Sequence, residues 1–210
     1  VARNPWEDQS VYLQVTRGVA PRTQEFPKPD VPPTVFVMAT PLKMPTPEQR
    51  ANGVAVVTRD DYRWRRCDIK SVSLLANCLL RQEAEDAGAV ETVLIRDGNV
   101  KEASTCNVLL VKDGVILVPP KDNLILHGIT FDLALELARE AGLPLQTREV
   151  KREELFSADE VWLSSSAREV LPVTTVDGRR IGTGKPGPAY ARMHQLFQDY
   201  KARARTKAHA

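Results

Sequence analysis

Strand-like alternation, helical spacing and two Asp-Gly turn pairs together predict a mixed α/β (α+β) fold. Val11, Leu13 and Val15 alternate with Tyr12, Gln14 and Thr16, the pattern of a strand with one buried face. Leu133, Leu137 and Ala141 recur every four residues, which lines one face of a helix. Asp97-Gly98 and Asp113-Gly114 separate short apolar runs, as hairpin turns do.

Taken in order, the strand at 11–16 is followed by a loop at 17–33 and a second, more continuously apolar strand at 34–40. Two strands cannot bury both faces by themselves, because an isolated hairpin is marginal in water. Pro41, Pro45 and Pro47 then interrupt regular structure. Residues 54–58 read as a strand, 71–87 as an amphipathic helix stopped by Gly88, and 91–96, 108–112 and 115–118 as further strands. The clearest helix is 130–141, where Asp132 favours the N-terminal dipole and Gly142 supplies a stop. A short helix at 152–156, a strand at 161–163 and a final helix at 189–200 complete the pattern, and no internal repeat is found.

The 210 residues, 42% hydrophobic and 27% charged, suffice for a sizeable core and exclude a disordered or fibrous chain. A net charge of +2 gives no reason to expect nucleic acid or an anionic membrane as partner, and no apolar run reaches membrane-spanning length. The basic tail at 201–210 reads as a solvated, frayed end. Cys67, Cys78 and Cys106, without a CxxC pair, argue against a disulfide framework or structural zinc and fit a reducing cytoplasm. His127, His194 and His209 form no local metal motif, so no metal is assigned.

Lys70 closes the run Arg63-Trp64-Arg65-Arg66-Cys67-Asp68-Ile69-Lys70-Ser71, just before the pattern read as a helix. A lysine at a strand-to-helix junction with apolar neighbours is placed where its ammonium is disfavoured and its amine becomes a nucleophile, as Schiff-base chemistry requires. Most lysines are solvated surface charges, so Lys70 gains weight only from its company. Glu102 precedes the small polar cluster Ser104-Thr105-Cys106-Asn107; Leu126-His127-Gly128-Ile129-Thr130 opens a helix; 161–170 runs from an apolar strand into Ser164-Ser165-Ser166. An amine, a carboxylate, a Gly-led helix start and a hydroxyl cluster are what pyridoxal 5'-phosphate needs.

With Tyr-Leu-Gln-Val-Thr-Arg-Gly-Val-Ala-Pro-Arg at 12–22 and Arg-Cys-Asp-Ile-Lys-Ser at 66–71, the chain resembles the class IV (fold type IV) aminotransferases, in particular the D-amino acid aminotransferases, from about Val11 to Tyr200. The resemblance implies a large pseudo-barrel domain at 49–200, preceded by a partial small α/β domain at 1–42 and a linker at 43–48, with the first part of the small domain lying before Val1. It implies that Lys70 holds pyridoxal 5'-phosphate and then moves a proton, that Glu102 faces the ring nitrogen, that Arg63 lies near the cofactor and that Leu126 packs on its ring. Gly128, Ile129 and Thr130, with Ser165 and Ser166, would hold the phosphate. The plainer alternatives are a solvated glutamate at 102, a core leucine at 126 and a simple N-cap at Thr130.

For the substrate, the resemblance implies that the loop with Arg22 and Gln24 reaches across a homodimer to grip the α-carboxylate, a task that suits an arginine fork. Gln24 stands where D-amino acid aminotransferases carry histidine, and Phe131 replaces their usual charged residue; both are departures. The implied reaction moves the amino group of a D-amino acid such as D-alanine to a 2-oxo acid such as 2-oxoglutarate. The alternatives are another class IV member (a branched-chain aminotransferase, an R-amine transaminase or aminodeoxychorismate lyase) or an inactive cofactor-binding fragment.

Overall fold

A computed structural model of the chain describes residues 3–208, and the chain divides after Met44 into two units. The first is built on β1 (Gln9–Thr16) and β2 (Thr34–Pro41), antiparallel from the Gln9↔Pro41 pair to the Thr16↔Thr34 pair. Tyr12 and Phe36 meet edge-on across the ladder, and the Arg17 guanidinium lies 3.9 Å from the centre of the Phe26 ring in the loop that follows β1. The buried face expected for β1 is not formed: Val11, Leu13 and Val15 are exposed, as are Val35, Phe36, Val37 and Met38 of β2. A two-stranded ribbon supplies no second layer to cover them.

The second unit begins with α1 (Pro47–Asn52) and β3 (Val54–Asp60), followed by α2 (Leu75–Asp86), β4 (Glu91–Arg96), β5 (Asn99–Ala103), β6 (Asn107–Lys112) and β7 (Val115–Val118). Then come α3 (Ile129–Glu140), β8 (Leu145–Thr147), β9 (Val150–Lys151), α4 (Arg152–Ser157), β10 (Glu160–Ser165), β11 (Glu169–Val176), β12 (Arg179–Arg180) and α5 (Pro188–Ala208). The strands form one curled mixed sheet in the order β8-β7-β6-β10-β11-β3-β4-β5-β9, with β12 on β11. Both Asp97-Gly98 and Asp113-Gly114 have positive φ at each residue, the backbone of a tight turn whose twist matches the strands it joins.

Both faces of this sheet are covered, which explains why its strands read as apolar runs rather than clean alternations. Along β6, Val108 and Leu110 enter one buried cluster with Val93, Leu163 and Leu171, while Leu109 and Val111 enter another with Phe131, Leu135, Trp162 and Met193. The second cluster is where α3 and α5 pack on the sheet. One carboxylate secures that arrangement: Glu160 accepts from the backbone N–H groups of Ala189 and Tyr190 at 2.9 and 2.8 Å and from Trp162 Nε1 at 3.0 Å. It thereby satisfies donors that the first turn of α5 cannot satisfy itself.

Several expectations are corrected. The helix read at 71–87 begins only at Leu75, and β3 ends at Asp60, so Lys70 lies in an irregular loop rather than at a strand-to-helix junction. Pro47, expected to interrupt regular structure, opens α1 instead, because Thr46 and Gln49 form a reciprocal capping box. The helix read at 189–200 runs on through Ala208, across much of the expected frayed tail. Buried Glu169 holds it, accepting from Gln198 and Lys201 of α5 and from Arg50 of α1.

Glu160→Ala is expected to destabilise the second unit by about 3 kcal/mol or more, since each hydrogen bond to a charged group contributes roughly 1.5–3 kcal/mol. Glu160→Gln should fall between the alanine variant and the parent. Urea unfolding followed by tryptophan emission measures both, and an unshifted midpoint for the alanine variant would show that α5 is seated by its apolar contacts alone.

Candidate active site

Glu102 is almost wholly buried, and the ladder explains how a charged residue comes to be there. β4 and β5 pair at Val93↔Ala103 and Ile95↔Val100 with a register shift between, so Lys101 and Glu102 occupy a bulge. A bulge re-aims side chains that a regular strand would send to alternate faces. Three donors meet the Glu102 carboxylate: Arg63 Nη1 at 2.5 Å on Oε1, and the Leu126 backbone N–H at 3.0 Å and Asn107 Nδ2 at 3.3 Å on Oε2. Burial pushes its carboxyl above the ordinary value, against the opposing pull of Arg63 and of the Leu126 N–H.

Arg63 is itself buried and clamped from its other side. Its Nε and Nη2 reach the two oxygens of Asp61 at 2.9 and 3.0 Å, and Nη2 also donates to the Leu124 carbonyl at 3.2 Å. Burial disfavours the cation, but the bonds to Asp61 and the charges of Glu102 and Asp61 outweigh it and hold Arg63 protonated well above its ordinary range.

Leu126 and Gly128 join this group through Asn107, whose Nδ2 also donates to the Leu126 carbonyl at 2.8 Å. A Cβ on Gly128 would stand 2.3 Å from Asn107 Oδ1, so a larger residue would push on an amide that its two Nδ2 bonds hold in place. Gly128 is the N-cap of α3 and supplies no side-chain bond. Thr130 is therefore not the cap, and the backbone N–H groups of Ile129 and Thr130 stand in a first turn that no side chain closes.

Lys70 is exposed and, among the described residues, makes no hydrogen bond or ion pair; Ile69, Val72 and Leu74 around it are exposed too. The apolar enclosure expected for it is not present in this loop. The loop is nevertheless tied to the Glu102 group, because Cys67 N–H donates to Asn123 O at 2.8 Å and Asn123 Nδ2 to Arg65 O at 2.6 Å, next to Leu124 and Leu126.

Ser165 ends β10 and Ser166 opens the turn to β11, and neither is among the hydrogen-bond donors to Glu102. Arg168 of that turn reaches the buried Glu91, which also accepts from Ser104 and Thr105, so the serine turn and the segment after Glu102 share one ion pair. Arg22 and Gln24 belong to the first unit, both exposed in its loop. Sequence reasoning misses Asp61, Glu91 and Arg168, which carry no signal as ordinary charged residues beside strands and turns. Asn107 closes a conspicuous string but gains its role only from the folded geometry.

An ionised carboxylate offers about four acceptor sites. Three are used on Glu102, which leaves one on Oε1 for a further donor, and one of those donors, Leu126, lies two residues before the helix start at Gly128, which favours an anion. A spare carboxylate acceptor and an uncapped helix start are the two kinds of group that a ring with an N–H group and a phosphate require. Residues 1–176 match the family model described as amino-transferase class IV, and the chain belongs to that family. It is 44% identical over 196 residues to a D-alanine aminotransferase of Bacillus licheniformis, covering 93% of this chain and 69% of the relative. A D-alanine aminotransferase of Listeria monocytogenes is 42% identical over 199 residues, covering 94% and 68%.

Among solved structures, a T.th. branched-chain amino acid aminotransferase with pyridoxamine 5'-phosphate aligns with a TM-score of 0.81 at 29% identity, over 91% of this chain and 64% of that one. The Escherichia coli branched-chain enzyme gives 0.78 at 28%, over 90% and 64%. This chain thus spans just under two thirds of those solved chains. The family uses pyridoxal 5'-phosphate, and the spare acceptor on Glu102 with the uncapped start of α3 fits that group.

Among the described residues, no helix is long and apolar enough to cross a membrane, and no group of three or more His, Cys, Asp or Glu could hold a metal ion.

The Glu91–Arg168 pair yields a pH prediction. Burial raises the Glu91 carboxyl, but Ser104, Thr105 and Arg168 more than offset it and hold it below the ordinary 4.5. A carboxyl lowered on folding stabilises above its ordinary value, and that stability is lost as pH falls through the lowered one. Arg168→Met should cost about 3–5 kcal/mol near pH 7, because it strands a buried charge. The variant should then lose less stability than the parent as pH falls below about 4.5, since its carboxyl has less left to lose. Urea midpoints across that range test this, and equal pH slopes would show that Arg168 does not set the Glu91 charge.

Proposed function

We propose that this chain takes part in transamination of D-amino acids, moving the amino group of a donor such as D-alanine to a 2-oxo acid such as 2-oxoglutarate. The observation that carries the D-amino acid assignment is the 38–44% identity to eight D-alanine aminotransferases over most of the chain. When bound, pyridoxal 5'-phosphate supplies an aldehyde for the amine and an electron-withdrawing ring for the charge that develops at the reacting carbon.

The chain's own residues supply the rest. Lys70 Nζ would hold the cofactor at its aldehyde and would then take and return the proton. Its lack of an ion pair leaves it available. Glu102 would offer an anionic oxygen to the ring nitrogen, which would favour the protonated ring. Leu126 would pack on the ring, and Arg63 holds Glu102 in place. Ile129 and Thr130 N–H groups behind Gly128, together with Ser165 and Ser166, receive the phosphate. Arg22 pairs its guanidinium with the substrate carboxylate, with Gln24 as a neutral donor where a cation would bind more strongly.

The domain plan of a small domain to residue 42, a linker at 43–48 and a cofactor domain at 49–200 belongs to this reading, as does a homodimer in which Arg22 serves the neighbouring copy. A cytoplasmic location accords with Cys67, Cys78 and Cys106, all free thiols. A second reading, a branched-chain L-amino acid substrate, draws on the solved neighbours and on Gln24 in place of histidine.

Two measurements test the proposal. Borohydride reduction of the cofactor-loaded protein followed by peptide mapping should place the pyridoxyl group on Lys70; another lysine would remove Lys70 from its role. Steady-state assays with D- and L-alanine and D- and L-leucine should favour the D-enantiomers. In the same assay Arg22→Ala should raise KM for the amino acid about 10-fold or more, the loss of one charge-assisted hydrogen bond. An unchanged KM would make the loop a surface connection.

A further inference from the structure

Arg96, Asp61, Arg63 and Glu102 form a buried row of alternating charges. Arg96 Nη2 lies 3.1 Å from Asp61 Oδ1, Arg63 grips both oxygens of Asp61, and only Arg63 Nη1 extends to Glu102. The side chains are 10%, 0%, 5% and 6% exposed in that order, so water does little to screen them. Asp61 is seated by the sheet: it directly follows β3, and its N–H donates to Ile95 O at 2.8 Å.

The geometry points to Asp61 as a positioning residue that keeps Glu102 available to the cofactor, by engaging the Nε/Nη2 edge of Arg63 and offsetting its charge. This rests on the reading that Glu102 serves the ring nitrogen. A guanidinium prefers to bind a carboxylate with two parallel N–H groups. Were its Nε/Nη2 edge free, Arg63 could offer Glu102 that fork and take the remaining acceptor site on Oε1. Its full positive charge would also stand uncompensated beside the one anion the ring needs. With Asp61 in place, Arg63 has a single N–H group on Glu102 and a second carboxylate against its charge. Arg96 completes the row as two cations and two anions, which is how four charges can be buried together.

Asp61→Asn keeps the side-chain shape and one acceptor but removes the charge. In protein loaded with cofactor labelled at the ring nitrogen, its 15N signal should move toward the unprotonated position and the cofactor Kd should rise about tenfold. Adding Arg63→Gln to Asp61→Asn removes the uncompensated cation and should return the signal toward that of the parent. A residue with a merely structural role would give additive damage instead, which the double-mutant cycle separates.

Glu102→Gln is the control: if it leaves the ring signal unmoved, the reading of Glu102 fails and the proposal with it. If Glu102→Gln moves the signal but Asp61→Asn does not, Asp61 alone is ruled out. Should Asp61→Asn not fold, Arg63→Gln by itself reports the same coupling, because the ring should then stay protonated; a shift to the unprotonated position would overturn the inference.

Discussion

A carboxylate withdrawn from water has to be met by donors, and at Glu102 that requirement gathers four stretches of chain. Arg63 comes from the loop after β3, Asn107 from the start of β6, and the Leu126 N–H from the segment before α3, while Glu102 itself sits in the bulge of β5. Each donor brings its neighbours with it: Lys70 lies on the Arg63 loop, and Gly128 follows Leu126 by two residues. The position of Lys70 and of the helix start thus depends on how one buried anion is satisfied.

The same device recurs where strands begin, at Glu160 of β10, Glu169 of β11 and Glu91 of β4. Glu160 receives the start of α5, Glu169 receives its middle together with α1, and Glu91 receives the serine turn through Arg168. Apolar contact alone is non-directional and would let helices slide on a surface of valines and leucines. A buried carboxylate with three fixed donors is directional, because each displaced donor leaves a lone pair or an N–H without a partner. The two apolar clusters supply cohesion, and these four glutamates supply register.

This division explains what can be read from the residues in order. The helix α3 is legible because Leu133, Leu137 and Ala141 carry its period, and the turns at 97–98 and 113–114 are legible because Asp-Gly is specific to them. The strings at 12–22 and 66–71 point to the family that the chain belongs to, and Glu102 stands out by its small polar followers. By contrast β5 is not legible, because Lys101 and Glu102 at its centre look like surface charges and only long-range partners make them buried. Nor is β11, where Pro172 argues against a central strand; β3 begins pairing at Val173, just past the proline.

The environment of Lys70 is the instructive failure. Local reasoning places it on a helix start among apolar side chains, a setting that would itself make the amine reactive. The loop instead holds Lys70 exposed, between the end of β3 at Asp60 and the start of α2 at Leu75, with its reach rather than its burial left as the useful property. What is buried and tuned in this unit is the carboxylate: Glu102 with Arg63, Asp61 and Arg96 behind it. Under the proposed transamination, the group that faces the ring has to be held rigidly in low dielectric, while the amine that exchanges protons has to move. A rigid anion on a sheet bulge and a lysine on an irregular loop are the kinds of local structure that would suit those two demands.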